Sequence, residues 1–227
     1  MKLRFALLLA LLAGAASAQP PADDWGQLGR YGDDDAQQIA SGLKPDVVLL
    51  GDSITESWVS KRPGVFTAQR IGRGISGQTT PQMLVRFRAD VIDLHPKMVQ
   101  IMGGTNDIAG NTGPMTPEMT EANIASMTEL AQANGIKVIL ASIPPAANFP
   151  WRPGLDVTGK IGALNDWIRA YAASHHAIYA DYWSALQDGH GAMKPGLAYD
   201  GVHPTEQGYD VMLPVLEVAL KRAAAVR

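Results

Sequence analysis

The chain has 227 residues, of which 46% are hydrophobic and 18% charged, a length and composition that suit one domain with an ordinary core. It contains no cysteine, which excludes disulfide frameworks, thiolate metal sites, iron–sulfur clusters and thiol catalysis. The net charge of −3, from 19 basic and 22 acidic residues, argues against a nucleic-acid-binding protein.

The first 18 residues predict a secretory signal peptide. Lys2 and Arg4 precede an apolar run over residues 5–16, which ends in an Ala-Ser-Ala cleavage motif at 16–18. The run is too short to span a bilayer comfortably. We therefore expect residues 19–227 to form the mature domain, secreted or periplasmic, with no stable membrane anchor and no cysteine for lipidation.

The start of the mature chain is polar. Residues 19–42 are expected to be loop-like, and the acidic cluster of Asp33, Asp34 and Asp35 is interpreted as a solvated surface. Beyond it, short continuous apolar runs predict strands that are buried on both faces. The three strong runs are residues 46–51, 98–102 and 136–141. The two weaker runs are residues 69–72 and 177–180.

Helical segments lie between these runs. Thr116 and Gly135 are typical of the two ends of one helix. Thr158 is predicted to cap a second helix, and a third is expected from about Thr205 to Ala223, interrupted by Pro214. The apolar face predicted for the second helix consists of Ile161, Leu164, Trp167, Ile168 and Tyr171. Strands that alternate with helices indicate an α/β fold with a parallel sheet covered on both faces.

Ser53 follows the first strong strand directly. A serine at the carboxyl end of a central strand lies where open α/β sheets bind ligands. It needs a base to become a nucleophile. Of the five histidines, His203 stands out, because Asp200 precedes it by three residues and is close enough in a turn to accept from its ring. The same segment also suits a turn stabilised by an aspartate before a helix.

Two further segments follow strands at the same edge. Asn106, in the segment 103–107, is a candidate amide donor to an oxyanion, although the segment also suits a simple glycine turn. The segment 72–77 offers a backbone N–H in a glycine-rich stretch where close approach is possible. Because the carboxyl ends of parallel strands converge on one crevice, these segments are expected to form one site.

The segments 51–53, 74–80, 103–107 and 200–204 resemble, in order and spacing, the four signature blocks of the GDSL, or SGNH, hydrolases. Within the family, the segments 74–80 and 103–107 look most like those of platelet-activating-factor-acetylhydrolase-like esterases. The resemblance extends over about residues 46–222. It implies a flavodoxin-like, doubly wound sheet of five parallel strands in the order 2-1-3-4-5.

The resemblance also implies roles for individual residues. Ser53 would be the nucleophile, His203 the base and Asp200 its partner. The backbone N–H groups of Ser53 and Gly77 and the side chain of Asn106 would form the oxyanion hole. No cofactor or metal is implied. This sequence departs from the family at Gly72, where many members have asparagine, and at Gln78, where many have aspartate.

Two other motifs are excluded by context. Residues 72–77 spell G-x-G-x-x-G, but a dinucleotide fingerprint should follow a strong strand, and the preceding stretch is weak. The segment 51–55 lacks the second glycine of the G-x-S-x-G nucleophile elbow. In α/β-hydrolases, moreover, the acid and the histidine come from separate loops, whereas Asp200 and His203 are three residues apart.

Aromatic residues next to these segments are candidates for the substrate pocket. Trp58 follows the proposed nucleophile, and Trp151 lies in a proline-rich loop after the fourth strand. We expect an exported serine esterase acting on a small-molecule or glycan ester, such as a carbohydrate O-acetyl ester, a short-chain acyl ester or a lysophospholipid. The alternatives are an acyltransferase that uses the same site and a non-catalytic sugar- or lipid-binding module. The sequence leaves the oligomeric state open.

Overall fold

The structure is a computed structural model that describes residues 24–226. The predicted signal peptide, residues 1–18, lies outside the described residues. Between residues 24 and 226, no helix combines the length and the apolar character needed to cross a bilayer.

One sheet of five parallel strands forms the centre of the fold. In chain order the strands are β1 Val47–Gly51, β2 Arg70–Gly74, β3 Met98–Met102, β4 Lys137–Ala141 and β5 Ile178–Ala180. Their order across the sheet is β2-β1-β3-β4-β5. The predicted α/β class, the parallel sheet and the strand order are thereby confirmed.

Eight α-helices surround the sheet in the described part of the chain. They are α1 Gly32–Ser41, α2 Ser53–Lys61, α3 Thr80–Asp90, α4 Thr105–Ala109, α5 Pro117–Ala133, α6 Val157–Ser174, α7 Tyr182–Leu186 and α8 Glu206–Ala225. Two short 3₁₀ segments, Pro63–Val65 and Ile92–Leu94, follow α2 and α3.

Strands β1, β3 and β4 are largely apolar because each face of the sheet is covered by a separate core. Successive side chains of a strand point to opposite faces. Val48 and Leu50 of β1 therefore join the core under α3, α5 and α6. Val47 and Leu49 join the core under α2, α7 and α8. Burial on both faces explains why these three strands appear in the sequence as continuous apolar runs, whereas β2, which contains two arginines, gives only a weak signal.

Helix α1 corrects the prediction that residues 19–42 are loop-like. The prediction that the acidic cluster is solvated is correct for Asp33 and Asp34 but wrong for Asp35, which is buried. Asp35 forms an ion pair with Arg73 of β2 at 2.6 Å. Because α1 is anchored by this ion pair rather than by an apolar stripe, hydrophobic periodicity does not detect it.

The predicted helix ends hold with one exception. Thr116 caps α5, and Gly135 lies just beyond its end with a φ of 72°. Thr158 does not cap α6. Asp156 does, because its side chain accepts the N–H of Gly159 at 3.1 Å. An aspartate two residues earlier thus takes the role that the sequence assigned to the threonine.

The last helix begins next to the histidine-bearing turn. Thr205 is its N-cap, and its hydroxyl accepts the N–H of Gly208 at 3.2 Å. Pro214 lies within the helix, which continues to Ala225. Because His203 lies two residues before the cap, the start of α8 fixes the position of the histidine.

Candidate active site

Ser53 is the first residue of α2, just beyond the carboxyl end of β1. The helix begins there because the Asp52 side chain accepts the N–H of Ile54 at 2.9 Å. Gly74 at the end of β2 permits the first turn of α2 to approach, since a Cβ at this position would lie 2.1 Å from the backbone nitrogen of Glu56. The serine is thus held at the edge of the sheet where α/β folds bind ligands.

The structure brings Ser53, His203 and Asp200 into one hydrogen-bonded chain. The Ser53 Oγ lies 2.9 Å from His203 Nε2 across 150 residues of sequence. On the other side of the ring, His203 Nδ1 lies 2.7 Å from Asp200 Oδ2. A ring that donates from Nδ1 to a carboxylate has its Nε2 free to accept the serine proton.

Asp200 is held by its own turn. Its Oδ1 accepts the backbone N–H groups of Val202 at 3.0 Å and His203 at 2.8 Å. Burial alone would raise the pKa of the Asp200 carboxyl. These hydrogen bonds, with the one from the His203 ring, outweigh burial and lower the pKa below the usual aspartate value. The carboxyl is therefore ionised at neutral pH.

The turn after β2 presents a backbone N–H toward the same edge of the sheet. Gly77 has a φ of 78°, a conformation that favours glycine. Within residues 24–226, the N–H groups of Gly77 and Ser53 donate to no other protein atom. Glu56, which the sequence interpretation missed, holds this turn by accepting both the N–H and the hydroxyl of Ser76.

Asn106 lies in α4 and is buried, with its amide orientation set by three neighbours. Its Oδ1 accepts from Asn111 Nδ2 at 2.7 Å. Its Nδ2 lies 3.0 Å from the carbonyl oxygen of Gln78 and 3.4 Å from Asp52 Oδ2. Because a carbonyl oxygen can only accept, the amide nitrogen must face Gln78. One of the two hydrogens on Asn106 Nδ2 therefore makes only a weak hydrogen bond, to Asp52.

The two other aspartates of the signature segments support the backbone. Burial raises the pKa of the Asp52 carboxyl to about 6. Asp107, whose pKa is also raised by burial, accepts the backbone N–H and the hydroxyl of Thr80. Asp107 thereby ties α4 to the start of α3, while Asp52 caps α2.

Trp151 lies beside the histidine. Its ring centroid is 6.2 Å from that of His203, and the two planes are inclined by 33°. It stacks on the buried Phe149 at 5.2 Å, yet 40% of the residue is exposed. An exposed aromatic face fixed next to a candidate base is available to a substrate.

Trp58 does not line a pocket, and the prediction for this residue is wrong. Its exposure is 0%, and it packs in the core against Phe66, Tyr182 and Tyr209. The reason is helical geometry: five residues at about 100° each place Trp58 about 140° around α2 from Ser53. The side chain therefore points into the protein.

The remaining histidines lie in structural positions. His95 follows the 3₁₀ segment after α3, and His175 and His176 follow the end of α6. His190 lies in an exposed turn next to Asp188. His203 is the histidine that contacts Ser53.

Comparison with known proteins places the chain among ester hydrolases. The family model of GDSL-like lipases and acylhydrolases matches residues 49–211. The crystal structure of a GDSL-like lipase from Bacteroides thetaiotaomicron superimposes with a TM-score of 0.82 and 45% sequence identity, covering 87% of this chain and 98% of that one.

Two other relatives are more distant. Esterase TesA of Pseudomonas aeruginosa is 29% identical over an alignment of 176 residues, and the match covers 70% of this chain and 79% of that protein. The uncharacterised lipoprotein YqeF of Bacillus subtilis is 34% identical over an alignment of 121 residues, and the match covers 44% of this chain and about half, 49%, of YqeF.

The family match extends over more than half of the chain and contains Ser53, Gly77, Asn106, Asp200 and His203. The resemblance that the sequence motifs indicate is therefore confirmed. The protein belongs to the GDSL-like lipase/acylhydrolase family and is a carboxylic ester hydrolase.

Proposed function

We propose that the protein hydrolyses small carboxylic esters through an acyl-enzyme on Ser53. His203 Nε2 takes the hydroxyl proton as the Ser53 Oγ attacks the carbonyl carbon, and Asp200 stabilises the imidazolium. His203 then gives the proton to the alcohol oxygen as the ester C–O bond breaks. A water molecule, deprotonated by His203, then attacks the acyl carbon, and His203 returns the proton to Ser53 Oγ as the bond between that oxygen and the acyl carbon breaks and the acid leaves. The observation that carries this proposal is the 2.9 Å contact between Ser53 Oγ and His203 Nε2.

Three hydrogen-bond donors would stabilise the negative charge on the oxygen of the tetrahedral intermediate. They are the N–H groups of Ser53 and Gly77 and the side-chain amide of Asn106. Two observations support this assignment. The two N–H groups have no other partner in the described part of the chain. One Asn106 hydrogen has only the 3.4 Å contact with Asp52 Oδ2, which yields readily to an anion.

Replacing Asn106 with alanine is expected to lower kcat by roughly 10²–10³, about 2.7–4 kcal/mol, because one oxyanion donor is lost. KM should change little, since the donor acts on charge that develops only in the transition state. Steady-state kinetics measure both constants. Asn123→Ala is the matched control, because Asn123 Nδ2 contacts the Thr80 hydroxyl instead of the site. A loss below about tenfold in Asn106→Ala would mean that Asn106 is only a turn residue.

Access of water favours hydrolysis over acyl transfer. The His203 side chain is 31% exposed and that of Asp200 41% exposed. An acyl-enzyme in such an open site is reached by water, whereas transferases must exclude it. Adding a simple alcohol to the assay separates the two activities. We expect the acid to remain the main product, and a dominant transesterification product would make the protein an acyltransferase.

The position of Trp151 favours O-acetylated carbohydrates among the possible substrates. Since His203 protonates the departing alcohol oxygen, the alcohol part of the ester must lie next to the histidine ring. The exposed face of Trp151 is there, 6.2 Å from that ring. A flat, largely apolar surface with a polar edge suits a sugar ring. Short-chain acyl esters and lysophospholipids are the competing substrate classes.

The direct test compares these classes on one preparation. Release of acetate from acetylated polysaccharide is measured beside p-nitrophenyl esters of increasing acyl length and a lysophospholipid, with Ser53→Ala as the blank. We expect the highest kcat/KM on acetyl esters and activity on the polysaccharide. A preference for long acyl chains would exclude the carbohydrate assignment, and no turnover of any ester would overturn the proposed function.

Truncation of Trp151 tests the contact with the alcohol. Trp151→Ala should lower kcat/KM on acetylated polysaccharide by roughly threefold to tenfold, the worth of about one aromatic contact. The hydrolysis of ethyl acetate, whose alcohol is too small to reach the ring, should be nearly unchanged. Trp151→Phe retains an aromatic face and should restore most of the activity. Equal losses on both esters would place Trp151 outside the alcohol site.

We further propose that the protein is exported and that the mature chain, residues 19–227, begins at Gln19. The basic start, the apolar run and the cleavage motif at 16–18 support this proposal. Intact-mass measurement of exported protein tests it, and a mass that includes Met1 would contradict cleavage.

A further inference from the structure

A guanidinium group lies fully buried beneath the candidate active site. Arg86 of α3 has an exposure of 0%. Its Nη1 donates to Asp90 Oδ2 at 2.6 Å, its Nε to Gln78 Oε1 at 2.6 Å and its Nη2 to the carbonyl oxygen of Gly51 at 2.9 Å. The ion pair with Asp90, one turn away, is enough to balance the buried charge. The other two hydrogen bonds satisfy N–H groups that burial removes from water, and their acceptors lie in two different segments of the chain.

Those two hydrogen bonds lead to the segments that contain the proposed oxyanion donors. Gly51 is the last residue of β1 and stands two residues before Ser53. Its carbonyl oxygen also accepts the N–H of Ile75, which begins the turn after β2. Arg86 therefore holds the point at which the nucleophile segment and the turn of Gly77 meet.

Gln78 extends the connection to the third donor. It directly follows Gly77, and its side chain accepts from Arg86. Its backbone carbonyl oxygen accepts from Asn106 Nδ2 at 3.0 Å. Its Nε2 donates to the carbonyl oxygen of Gly26 at 3.0 Å, so both ends of the side chain are fixed. Arg86 thus bonds to Gly51, two residues before Ser53, and to Gln78, which follows Gly77 and accepts from Asn106.

We propose that Arg86 is a positioning residue that sets the spacing of the oxyanion donors on Ser53, Gly77 and Asn106. This inference rests on the proposed function. Such donors stabilise a transition state only at about 2.7–3.1 Å from the oxyanion. A misplacement of roughly 1 Å can cost on the order of 100-fold in rate. The planar guanidinium is a rigid fork with fixed angles, which lysine cannot reproduce.

The competing explanation is that Arg86 is an ordinary buried ion-pair residue, and the chain offers a matched control. Arg73 is also buried and pairs with an aspartate, Asp35, at 2.6 Å. Its remaining bond to the backbone goes to the carbonyl oxygen of Gly72, within its own strand. Arg73 donates neither to Gly51 nor to Gln78. A purely structural role predicts that the two arginines respond alike to substitution.

The experiment compares Arg86→Lys with Arg73→Lys in the full mature chain. The concentration of active sites is titrated with a serine-directed organophosphonate, and kcat and KM for a chromogenic acetate ester are expressed per titrated site. We expect Arg86→Lys to lower kcat about 10- to 100-fold with KM within about twofold. Arg73→Lys should keep kcat within about threefold of wild type, even if its Tm falls as much as that of Arg86→Lys.

A boronic acid provides the second measurement, because it forms a tetrahedral anion on the serine. Its affinity should fall in Arg86→Lys in parallel with kcat/KM and stay unchanged in Arg73→Lys. If Arg86→Lys does not fold, Gln78→Met decides the question, because it removes the acceptor of Arg86 Nε and leaves the ion pair with Asp90 in place. Gln78→Met should also lower kcat and boronate affinity together.

Wild-type kcat per site in Arg86→Lys, or equal losses in the two lysine variants, would overturn the inference. An effect of Arg86→Lys on KM alone would also overturn it. If Arg86→Lys does not fold, a wild-type kcat in Gln78→Met would overturn it. Failure of the proposed function would be distinguishable, because the wild-type protein itself would then hydrolyse no ester.

Discussion

Replacing Ser53 with alanine is expected to abolish ester hydrolysis, lowering kcat by on the order of 10⁶ as in other serine hydrolases that lose their nucleophile. Ser53 supplies the oxygen that contacts His203 Nε2 at 2.9 Å. The fold should survive, because α2 is capped by Asp52, whose side chain accepts the N–H of Ile54. Initial rates on an acetate ester and circular dichroism measure the two effects.

Ser57 provides the control for this substitution. It lies one turn further along α2, so Ser57→Ala should retain nearly all activity. A serine-directed organophosphonate should label Ser53 in the wild-type protein and leave Ser53→Ala unlabelled. Near-normal activity in folded Ser53→Ala, or an adduct on Ser57 or Ser76, would refute the assignment of the nucleophile.

Replacing Asp200 with asparagine should lower kcat by up to about 10⁴. The carboxylate accepts from His203 Nδ1 at 2.7 Å and so leaves Nε2 free to take the serine proton. An asparagine amide can donate to Nδ1 instead, which stabilises the wrong tautomer. Asp107→Asn is the comparison, because Asp107 binds Thr80 rather than the histidine, and its effect on kcat should be far smaller.

The pH dependence of the wild-type protein has a defined sign. Only a neutral His203 can accept a proton, so kcat/KM should fall on the acid side. Since hydrogen bonds lower the pKa of Asp200 below the usual aspartate value, this carboxylate remains ionised at mildly acidic pH. Asp200 therefore does not account for the acid-side loss; His203 does, together with Asp52, whose pKa burial raises to about 6.

Substitution of two histidines completes this test. His203→Ala should be almost inactive at every pH, whereas His190→Ala should behave as wild type, because His190 lies in an exposed turn. Activity that stays flat down to pH 4 would contradict the proposed base. An active His203→Ala with an inactive His190→Ala would reassign it.

The sheet could be predicted from the sequence because burial on both faces leaves a clear signal. The run at residues 98–102 matches β3 at both ends, and the other strands differ by one or two residues. Asp200 and His203 could be paired because they lie within one turn. Gly77 and the strand order came from the family resemblance, since neither follows from periodicity.

Other features were invisible because their contacts are polar and distant in sequence. Helix α1 is held by Asp35 on Arg73, a pair 38 residues apart. Arg86 and Asp90 have the i, i+4 spacing of an ordinary exposed pair, and only the fold buries them. Trp58 was misplaced because proximity to Ser53 in sequence does not specify a helix face.

The acid and the base share one turn, whereas the nucleophile lies 150 residues away. That turn is joined to α8, which docks through the Tyr209 hydroxyl on the carbonyl oxygen of Ile54 at 2.8 Å and through stacking of Tyr209 on Trp58 at 5.4 Å. A subglobal opening that detaches this C-terminal unit would leave the Asp200–His203 pair intact but catalytically silent. Turnover therefore requires that this C-terminal unit is docked. We expect partial unfolding to lower turnover before it lowers the helix content of the whole chain.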